Sequence, residues 1–274
     1  MGINGATELY GIMGNPVAHS LSPAMHNAAF AALGLNKAYL PFAVQDVSQA
    51  MIGLRALGIK GASVTIPHKQ AVMVHLDSID PIAEKIGAVN TLVVNNSAIH
   101  GANTDWLGAN RALGEKINLK SASVLLLGAG GSARAIGFGL LEAGASLTIA
   151  SRTPEKGQAL AGLLGCPWLP LAEADTAKAD ILVNATSMGM GMGSQQDLLP
   201  IASQALAKFK VVMDIVYAPL ATRLLQEAEK AGCQTINGLA MLLYQGAAQF
   251  ELWTGQQAPV EVMRQSLLEA LGQR

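Results

Sequence analysis

The feature that most constrains the fold is a glycine-rich turn set between a strand and a helix. Residues 124–127 form a continuous apolar run typical of a buried strand, and residues 132–143 are predicted to form a helix. Between them, Gly128, Gly130 and Ala133 give the pattern G-x-G-x-x-A. The glycines permit a tight turn and a close approach to a pyrophosphate, and the small third residue lets the helix pack on the strand. In this context the pattern indicates a dinucleotide-binding unit, and the alternative is an ordinary glycine-rich βα turn.

Strand-like runs alternate with helix-like stretches along the whole chain. This alternation predicts βαβ units and mainly parallel sheets, which define the α/β class. In the first series we predict strands at residues 9–13, 38–42, 62–66 and 89–94, with helices at 23–33 and 47–57. In the second series we predict strands at residues 124–127, 147–150, 181–184 and 211–214. Ser22 is predicted to cap the helix that starts with Pro23.

The two series predict two domains with a cleft between them. We assign residues 1–105 to an α/β substrate-binding and catalytic domain and residues 106–237 to a Rossmann-like dinucleotide-binding domain, whose cofactor is identified below. Residues 238–274 read as C-terminal helices that return to the substrate domain. A chain of 274 residues is long enough to form two such cores.

Composition excludes several classes of function. Only 14% of the residues are charged and the net charge is -1, so neither nucleic acid nor a membrane surface is an expected partner. Cys166 and Cys233 lack metal-ligand spacing, so we expect no structural metal and no disulfide framework. The first residues lack the basic and apolar regions of a signal peptide, and a cytoplasmic location is therefore expected.

The end of the strand at residues 147–150 distinguishes NADP from NAD. An NAD enzyme usually carries an acidic residue there to hold the ribose 2′-hydroxyl. This chain instead has Arg152 and Thr153, with Lys156 one helical turn later. A guanidinium can bind a 2′-phosphate through two parallel hydrogen bonds, so we favour NADP. The alternative is a solvated arginine at a helix start, and Glu155 weakens the local positive charge.

Lys69 and Asp105 are candidates for proton transfer. Each follows a strand-like run, within the segments GASVTIPHK (61–69) and NTD (103–105). Reduction of a ketone by a nicotinamide needs a proton donor at the carbonyl oxygen, because the cofactor supplies only hydride. Lys69 can donate that proton, while Asp105 holds the lysine side chain or relays the proton. Considered alone, Lys69 is more commonly a surface lysine, and Asp105 is more commonly a helix cap or a surface carboxylate.

Hydroxyl and amide side chains surround this pair in the sequence. Ser20 and Ser22 bring two hydroxyls to a predicted helix start, which suits a carboxylate. Thr65 lies four residues before Lys69, and Asn90 follows the run Gly87-Ala88-Val89. Such a group of side chains suits a small polyhydroxylated acid as the substrate.

Together these segments resemble shikimate dehydrogenases along nearly the whole chain. The similar motifs run in that family's order: GNPVAHSLSP (14–23), His26-Asn27, VTIPHK (64–69), GAVNT (87–91), NTD (103–105), GAGG (128–131), NATSMGM (184–190), DIVYAP (214–219), NGL (237–239), Met241-Leu242 and QGA (245–247). The resemblance implies reversible NADPH-dependent reduction of 3-dehydroshikimate to shikimate, in aromatic amino-acid biosynthesis. It also implies a monomer or a homodimer that acts on a small molecule.

The resemblance also implies roles for individual residues. Lys69 and Asp105 would form the catalytic pair, and Ser20 and Ser22 would hold the substrate carboxylate. The remaining substrate contacts would come from Thr65, Asn90, Tyr217 and Gln245, with Lys69 and Asp105. The cofactor would be held by Gly128, Ala129, Gly130, Gly131, Ser132, Ser151, Arg152, Thr153, Lys156, Thr186, Met188, Ile215 and Gly238.

Two positions depart from the family's usual pattern. Ser63 stands where Asn is common, so a shorter hydroxyl replaces an amide near the predicted pocket. Ser151 replaces an Asn at the basic strand end and leaves Arg152 in place. The first departure keeps a paralogue or a quinate/shikimate dehydrogenase as the alternative function. A non-catalytic NADP-binding sensor is a more remote alternative, because it would be expected to lack Lys69 or Asp105.

Overall fold

The computed structural model of the protein describes residues 2–191 and 196–272. The chain forms two compact units. The first unit comprises Met1–Thr104 together with Leu243–Arg274, and the second comprises Asp105–Leu242. Each unit has its own six-stranded sheet. The predicted α/β fold class is therefore confirmed.

The first unit is built on a mixed sheet with the strand order β2-β1-β3-β5-β6-β4. Its strands are β1 (Glu8–Gly14), β2 (Lys37–Ala43), β3 (Gly61–Val64), β4 (Ser78–Ile79), β5 (Thr91–Asn95) and β6 (Ala98–Ala102). Its helices before the second unit are α1 (Ser22–Ala32), α2 (Val47–Ala56) and α3 (Pro81–Ile86), and a 3-10 turn covers Ala71–His75. β1 pairs in parallel with both β2 and β3, as the alternation predicts.

The prediction of a mainly parallel sheet misses a hairpin in this unit. β5 pairs antiparallel with β3 and with β6. Asn96 and Ser97 connect β5 to β6 with φ values of 49° and 69°. Two consecutive residues with positive φ are typical of the tightest hairpin turns, in which glycine is the usual signal. Without that signal, the turn and the strand after it were not predicted.

The first sheet has a hydrophobic layer on each face. Met51 and Leu54 of α2 pack with Val64 and Leu92 of the sheet in one buried cluster. The helices α8 (Gly238–Thr254) and α9 (Val260–Gly272) end the chain, and α9 packs on α1. The Ser266 hydroxyl of α9 donates to the Ala24 carbonyl of α1 at 3.0 Å. The C-terminal helices therefore contribute to the core of the first unit.

The second unit has a fully parallel sheet with the order β12-β11-β10-β7-β8-β9. Its strands are β7 (Ser123–Leu127), β8 (Ser146–Ser151), β9 (Trp168–Pro170), β10 (Ile181–Asn184), β11 (Val211–Asp214) and β12 (Gln234–Ile236). Its helices are α4 (Asp105–Gly114), α5 (Gly131–Glu142), α6 (Pro154–Leu164) and α7 (Arg223–Lys230), with 3-10 turns at Leu171–Thr176 and Ser203–Lys208. This order is that of doubly wound dinucleotide-binding folds, which bind ligands at the carboxyl ends of the strands.

None of the helices in the described ranges is both long and apolar enough to cross a bilayer.

Candidate active site

Lys69 lies in the turn that follows β3, and hydrogen bonds tie the backbone of this turn to neighbouring segments. The Thr65 amide donates to the Met13 carbonyl of β1 at 2.9 Å. The Lys69 carbonyl accepts from the Val89 amide at 2.8 Å. Thr65 and Lys69 are both half-buried. The turn therefore holds these two residues beside the end of β1 and close to the segment that leads into β5.

Asn90 is buried immediately before β5, and its amide group is fixed on both sides. Its Oδ1 accepts from the Thr104 amide at 2.8 Å and from the Thr91 hydroxyl at 2.6 Å. Its Nδ2 donates to Thr104 Oγ1 at 3.1 Å and to Gln245 Oε1 at 3.4 Å. Asn90, Gln245 and Thr104, which directly precedes Asp105, therefore form one buried cluster.

The start of α1 differs from the prediction. The Leu21 carbonyl accepts the first helical hydrogen bond, from the Met25 amide at 3.2 Å, so Leu21 is the N-cap and Ser22 is the first helical residue. Ser22 therefore does not cap the helix, and Pro23 is its second residue. The Ser20 hydroxyl instead accepts from the Ser22 amide at 3.2 Å. Both predicted carboxylate-binding hydroxyls still lie at this helix start.

The predicted substrate residues divide between the two units. The first unit contains Ser20, Ser22, Thr65, Lys69, Asn90 and Gln245. Two others belong to the second unit. Asp105 is the buried first residue of α4, and Tyr217 is half-buried in the loop after β11.

The glycine-rich turn connects β7 to α5 as predicted. Gly128 has a φ of +114°, and a Cβ there would lie 2.9 Å from the Ala185 carbonyl oxygen. A Cβ on Gly130 would meet nothing within 4 Å, so the space in front of this residue is open. Gly130 is the N-cap of α5 and offers no side-chain cap. Ala133 is fully buried, as required for close packing of the helix on the sheet. This geometry fits a bound pyrophosphate.

Ser151 is the last residue of β8, and its hydroxyl forms hydrogen bonds within the second unit. Its hydroxyl donates to the Thr153 carbonyl at 3.1 Å and accepts from Trp168 Nε1 at 2.9 Å. Gly157 of α6 lies directly against this pair. A Cβ at that position would be 2.0 Å from Ser151 Oγ and 2.1 Å from Trp168 Nε1. Ser151 therefore shapes the turn that presents the two residues after it.

The residues predicted to select NADP follow the carboxyl end of β8. Arg152, Thr153 and Lys156 are exposed. Arg152 lines a cavity of about 540 Å³ whose walls also include Met188 and one carboxylate, Asp175. No acidic residue occupies the strand end itself, where an NAD enzyme would hold its ribose. The arrangement fits a phosphorylated adenosine ribose.

A buried carboxylate, Asp214, organises the carboxyl ends of β10 and β11. It accepts from Asn184 Nδ2 at 3.0 Å, from the Val216 amide at 3.0 Å and from the Thr222 hydroxyl at 2.7 Å. Burial raises the pKa of Asp214 to about 6, although its hydrogen bonds act in the opposite direction. Thr222 is also the N-cap of α7. One side chain therefore joins two strands and a helix.

Asn184 extends this arrangement to the predicted cofactor residues. Its Oδ1 accepts from the Thr186 hydroxyl at 2.7 Å, and its Nδ2 also donates to the Met188 carbonyl at 3.3 Å. Its backbone carbonyl accepts from the Ile215 amide at 3.1 Å. A Cβ on Gly238 would lie 2.2 Å from the Ile215 carbonyl oxygen. Thr186, Met188, Ile215 and Gly238 thus surround the carboxyl ends of β10 and β11.

Three family models match the chain along most of its length. Residues 12–92 match the substrate-binding domain of shikimate dehydrogenase. Residues 109–236 match the family described as shikimate/quinate 5-dehydrogenase, and residues 238–268 match the C-terminal domain of shikimate 5′-dehydrogenase. A curated relative from Moorella thermoacetica, named shikimate dehydrogenase (NADP(+)), is 46% identical over an alignment that covers 98% of this chain and 96% of the relative.

The chain belongs to the shikimate dehydrogenase family.

Solved structures of family members agree with this assignment. A shikimate dehydrogenase crystallised with NADP+ is 41% identical, with a TM-score of 0.93 and coverage of 98% of each chain. The Thermus thermophilus enzyme, crystallised with NADP(H) and shikimate, is 38% identical with a TM-score of 0.88. That comparison covers 96% of this chain and 100% of the other. The predicted family is therefore confirmed.

Several residues around the site were not predicted from the sequence. Tyr39 and Gln249 are buried next to Ser63, and the hydroxyl of Ser63 contacts both. Gln249 follows Gln245 by four residues on α8, and this helical spacing is the signal that could have identified it. The carboxylate of Asp214 carried no such signal, because its partners come from three separate elements.

Proposed function

We propose that this protein catalyses the reversible NADP-dependent reduction of 3-dehydroshikimate to shikimate, a step in the shikimate pathway to chorismate and the aromatic amino acids. The observation that carries the proposal is the nearly full-length similarity to enzymes named for this reaction. Lys69 and Asp105, which the reaction requires under this proposal, are both present. The buried cluster around Asn90 adds support from the side-chain geometry.

The first unit supplies most of the proposed substrate contacts. Ser20 and Ser22 would bind the carboxylate through their hydroxyls at the start of α1. Thr65, Asn90 and Gln245 would hold the ring hydroxyls. Hydrogen bonds that fix the Asn90 amide before the substrate binds reduce the ordering needed on binding. Tyr217 is proposed as a further contact from the second unit.

Proton transfer is assigned to Lys69 and Asp105. In the direction of reduction, the Lys69 ammonium donates a proton to the carbonyl oxygen as hydride reaches the carbonyl carbon, so that the ketone becomes an alcohol. Asp105 holds the ammonium or, after the transfer, relays a proton from solvent back to the neutral amine. In the reverse direction the neutral amine accepts the hydroxyl proton. NADP(H), when bound, supplies or accepts the hydride.

The second unit would hold NADP(H). The open space at Gly130 and the uncapped start of α5 suit the pyrophosphate. Arg152 would bind the 2′-phosphate, with Thr153 and Lys156 beside it. The remaining contacts are assigned to Ala129, Gly131, Ser132, Thr186, Met188, Ile215 and Gly238. Ser151 would act through the turn that it shapes.

Steady-state kinetics of Lys69→Ala test the proposal. The purified wild-type protein should oxidise shikimate with NADP⁺, as measured by the absorbance of NADPH. Lys69→Ala should lower kcat by about 10²–10⁴, which is typical of a positioned acid or base. The KM for NADP(H) should hardly change. A variant that retains more than half of the wild-type kcat would remove Lys69 from the mechanism.

Quinate oxidation is the second candidate function, because one matching family model covers both substrates. Ser63, the departure that raised this alternative, is 5% exposed and lies beneath the site in a buried hydrogen-bond chain. We expect shikimate to be oxidised at least about tenfold more efficiently than quinate, a discrimination of about 1.4 kcal/mol. A higher kcat/KM with quinate would select the second candidate.

The cellular setting follows from the same proposal. Cys166 and Cys233 are both unpaired thiols, which fits a reducing cytoplasm. The proposed partners are small molecules only, and the proposed assembly is a monomer or a homodimer. Size-exclusion chromatography with light scattering measures the assembly directly.

A further inference from the structure

A buried chain of hydrogen bonds runs beneath the proposed substrate site in the first unit. The Tyr39 hydroxyl donates to Ser63 Oγ at 2.6 Å, and Ser63 Oγ donates to Gln249 Oε1 at 2.7 Å. Gln249 Nε2 then donates to the Asn90 carbonyl and to Thr91 Oγ1, both at 3.1 Å. All of these residues are at most 5% exposed. The chain joins β2, β3 and α8 to the residues at the start of β5.

The direction of every hydrogen bond in this chain is set by a backbone group. The Asn90 carbonyl can only accept, so Gln249 must turn its Nε2 towards it and its Oε1 towards Ser63. Ser63 must then donate to Gln249, which leaves its oxygen to accept from Tyr39. Thr91 accepts from Gln249 and therefore donates to Asn90 Oδ1. The Thr91 hydroxyl thus donates to the same Asn90 Oδ1 that accepts from the Thr104 backbone amide, and the chain reinforces this orientation of Asn90.

Both ends of the chain reach residues assigned to the substrate. At one end, Asn90 Nδ2 donates to Gln245 Oε1, one turn before Gln249 on α8. At the other end, Ser22 is one of the polar groups that act on the Tyr39 hydroxyl. Burial raises the pKa of Tyr39, although the hydrogen bonds with Ser63 and Ser22 act in the opposite direction. The phenol therefore remains a donor throughout the range in which enzymes work.

We propose that Gln249 is a positioning residue for the substrate site, and that Ser63 and Tyr39 hold its side chain in place through its Oε1. The inference rests on the proposed function, because it concerns how Asn90 and Gln245 are presented to shikimate. Gln249 itself touches neither the substrate nor the cofactor in this proposal. It supports Asn90 through the Asn90 carbonyl and through Thr91, and Ser63 holds Gln249 in place by pairing its Oε1.

Three variants that interrupt the chain at increasing distance from Asn90 test this inference. Gln249→Glu keeps the shape of the side chain but turns the donor towards the Asn90 carbonyl into an acceptor. It should lower kcat/KM for shikimate by about tenfold to a hundredfold. Ser63→Ala removes the donor to Gln249 Oε1 and leaves that buried oxygen unpaired, and we expect a loss of about three- to tenfold. Tyr39→Phe removes only the terminal donor, and its loss should be about two- to threefold.

The losses should appear mainly in the KM for shikimate. The kcat and the KM for NADP(H) should each stay within about twofold of wild type, because neither Lys69 nor the second unit is altered. A role in folding alone would not produce this separation, nor the graded order of the three variants. If Gln249→Glu fails to fold, Ser63→Ala and Tyr39→Phe still test the order.

Trp253→Phe is the matched control. Trp253 lies four residues after Gln249 on α8, and its Nε1 donates to the Leu92 carbonyl of β5 at 2.9 Å. It therefore ties the same helix to the same strand by a buried hydrogen bond, but it does not reach Asn90. Its substitution should lower the melting temperature and leave kcat/KM for shikimate within about twofold of wild type.

The outcomes separate the inference from the proposed function. Equal losses of kcat/KM in Trp253→Phe and the chain variants would show a purely structural role and overturn the inference. Wild-type kinetics in Gln249→Glu and Ser63→Ala would also overturn it. Both results require a wild-type protein that oxidises shikimate. A wild-type protein inactive towards shikimate would instead contradict the proposed function.

Discussion

The two units fix their proposed ligand-binding residues by different chemical means. In the first unit, neutral hydroxyl and amide groups form a hydrogen-bond chain from Tyr39 to Asn90, and each group in it donates to the next. In the second unit, strands and a helix converge on the carboxylate of Asp214. A neutral hydrogen-bond chain buries no charge and fixes the orientation of each side chain in it. A carboxylate can accept hydrogen bonds from several elements at once, but burying its charge is unfavourable.

The difference extends to the response of each unit to pH. His26, beneath the first unit's site, is fully buried, and its ring stacks on Tyr39 at a centroid distance of 4.5 Å. Neither of its ring nitrogens has a hydrogen-bond partner within the described ranges. Burial lowers the pKa of His26 to about 3. The first unit therefore depends on a histidine that stays neutral, whereas the second contains an acid with a raised pKa.

The largest effect is expected when the carboxylate is removed from the second unit. Asp214→Ala leaves Asn184, the Val216 amide and Thr222 without their acceptor. Each buried donor left unpaired costs about 1–3 kcal/mol, partly offset because a buried charge is also removed. We expect a net loss of about 3 kcal/mol in the free energy of unfolding, measured by urea denaturation.

Asp180→Ala is the control for this prediction. Asp180 also accepts from three donors, namely the Ser123 amide, the Ser123 hydroxyl and Lys210. It lies nearer to solvent, so water can replace the lost acceptor and the loss should be smaller. Equal losses in the two variants would mean that burial of Asp214 has no special importance for the second unit.

The next largest effect is expected from two variants that each weaken the binding of only one ligand. Arg152→Ala should raise the KM for NADP(H) by the equivalent of about 1.5–3 kcal/mol and leave the KM for shikimate nearly unchanged. Ser20→Ala should do the opposite, with a loss of similar size in the KM for shikimate. Steady-state kinetics with each substrate varied in turn measure both. A wild-type preference for NAD⁺ would refute the role of Arg152.

The smallest step, at most about 1.4 kcal/mol for each pH unit, is a pH dependence of opposite sign in the two units. The pKa of His26 is about 3 in the folded protein and 6.5 when unperturbed, so the unfolded chain binds the extra proton between these values. Stability from His26 is therefore complete above about pH 6.5 and is lost as the pH falls, by at most about 1.4 kcal/mol per pH unit. Urea denaturation of the wild type and His26→Phe across this range should give a difference that changes with pH.

Asp214 should respond in the other direction. Its pKa is about 6 when folded and 3.8 when unperturbed, so the folded protein binds the extra proton in this window. The stability of the wild type relative to Asp214→Asn should therefore increase as the pH falls from about 6 to about 4. A difference that is constant with pH in either variant would remove that residue from the comparison.

The fold was predictable where a local pattern determines it. The parallel strands and the glycine-rich turn follow from apolar runs and from Gly128, which the backbone conformation requires. The β5–β6 hairpin was missed because Asn96 and Ser97 adopt positive φ without a glycine to indicate it. The cap of α1 was misplaced because Leu21, which has no capping side chain, occupies the N-cap position one residue before Ser22.

The sequence predicted the individual side chains of the candidate site better than the buried residues that hold them in place. Lys69, Asn90 and Gln245 were named from the sequence, and their roles remain predictions. Ser63 and Gln249 lie 186 positions apart in the chain and meet only because α8 packs on the first sheet. No local pattern encodes such a contact, so the supporting hydrogen-bond chain became visible only in the structure.

The contact of Gly157 with Ser151 and Trp168 has a consequence for engineering a more heat-resistant protein. Replacing helical glycines with alanine is a common stabilising strategy because it restricts the unfolded chain. At Gly162, also in α6, an added Cβ would meet nothing within 4 Å. At Gly157 the same methyl group would displace the side chains that shape the turn before Arg152. The same helix thus carries one glycine that a designer can replace and another that must be kept to preserve coenzyme selection.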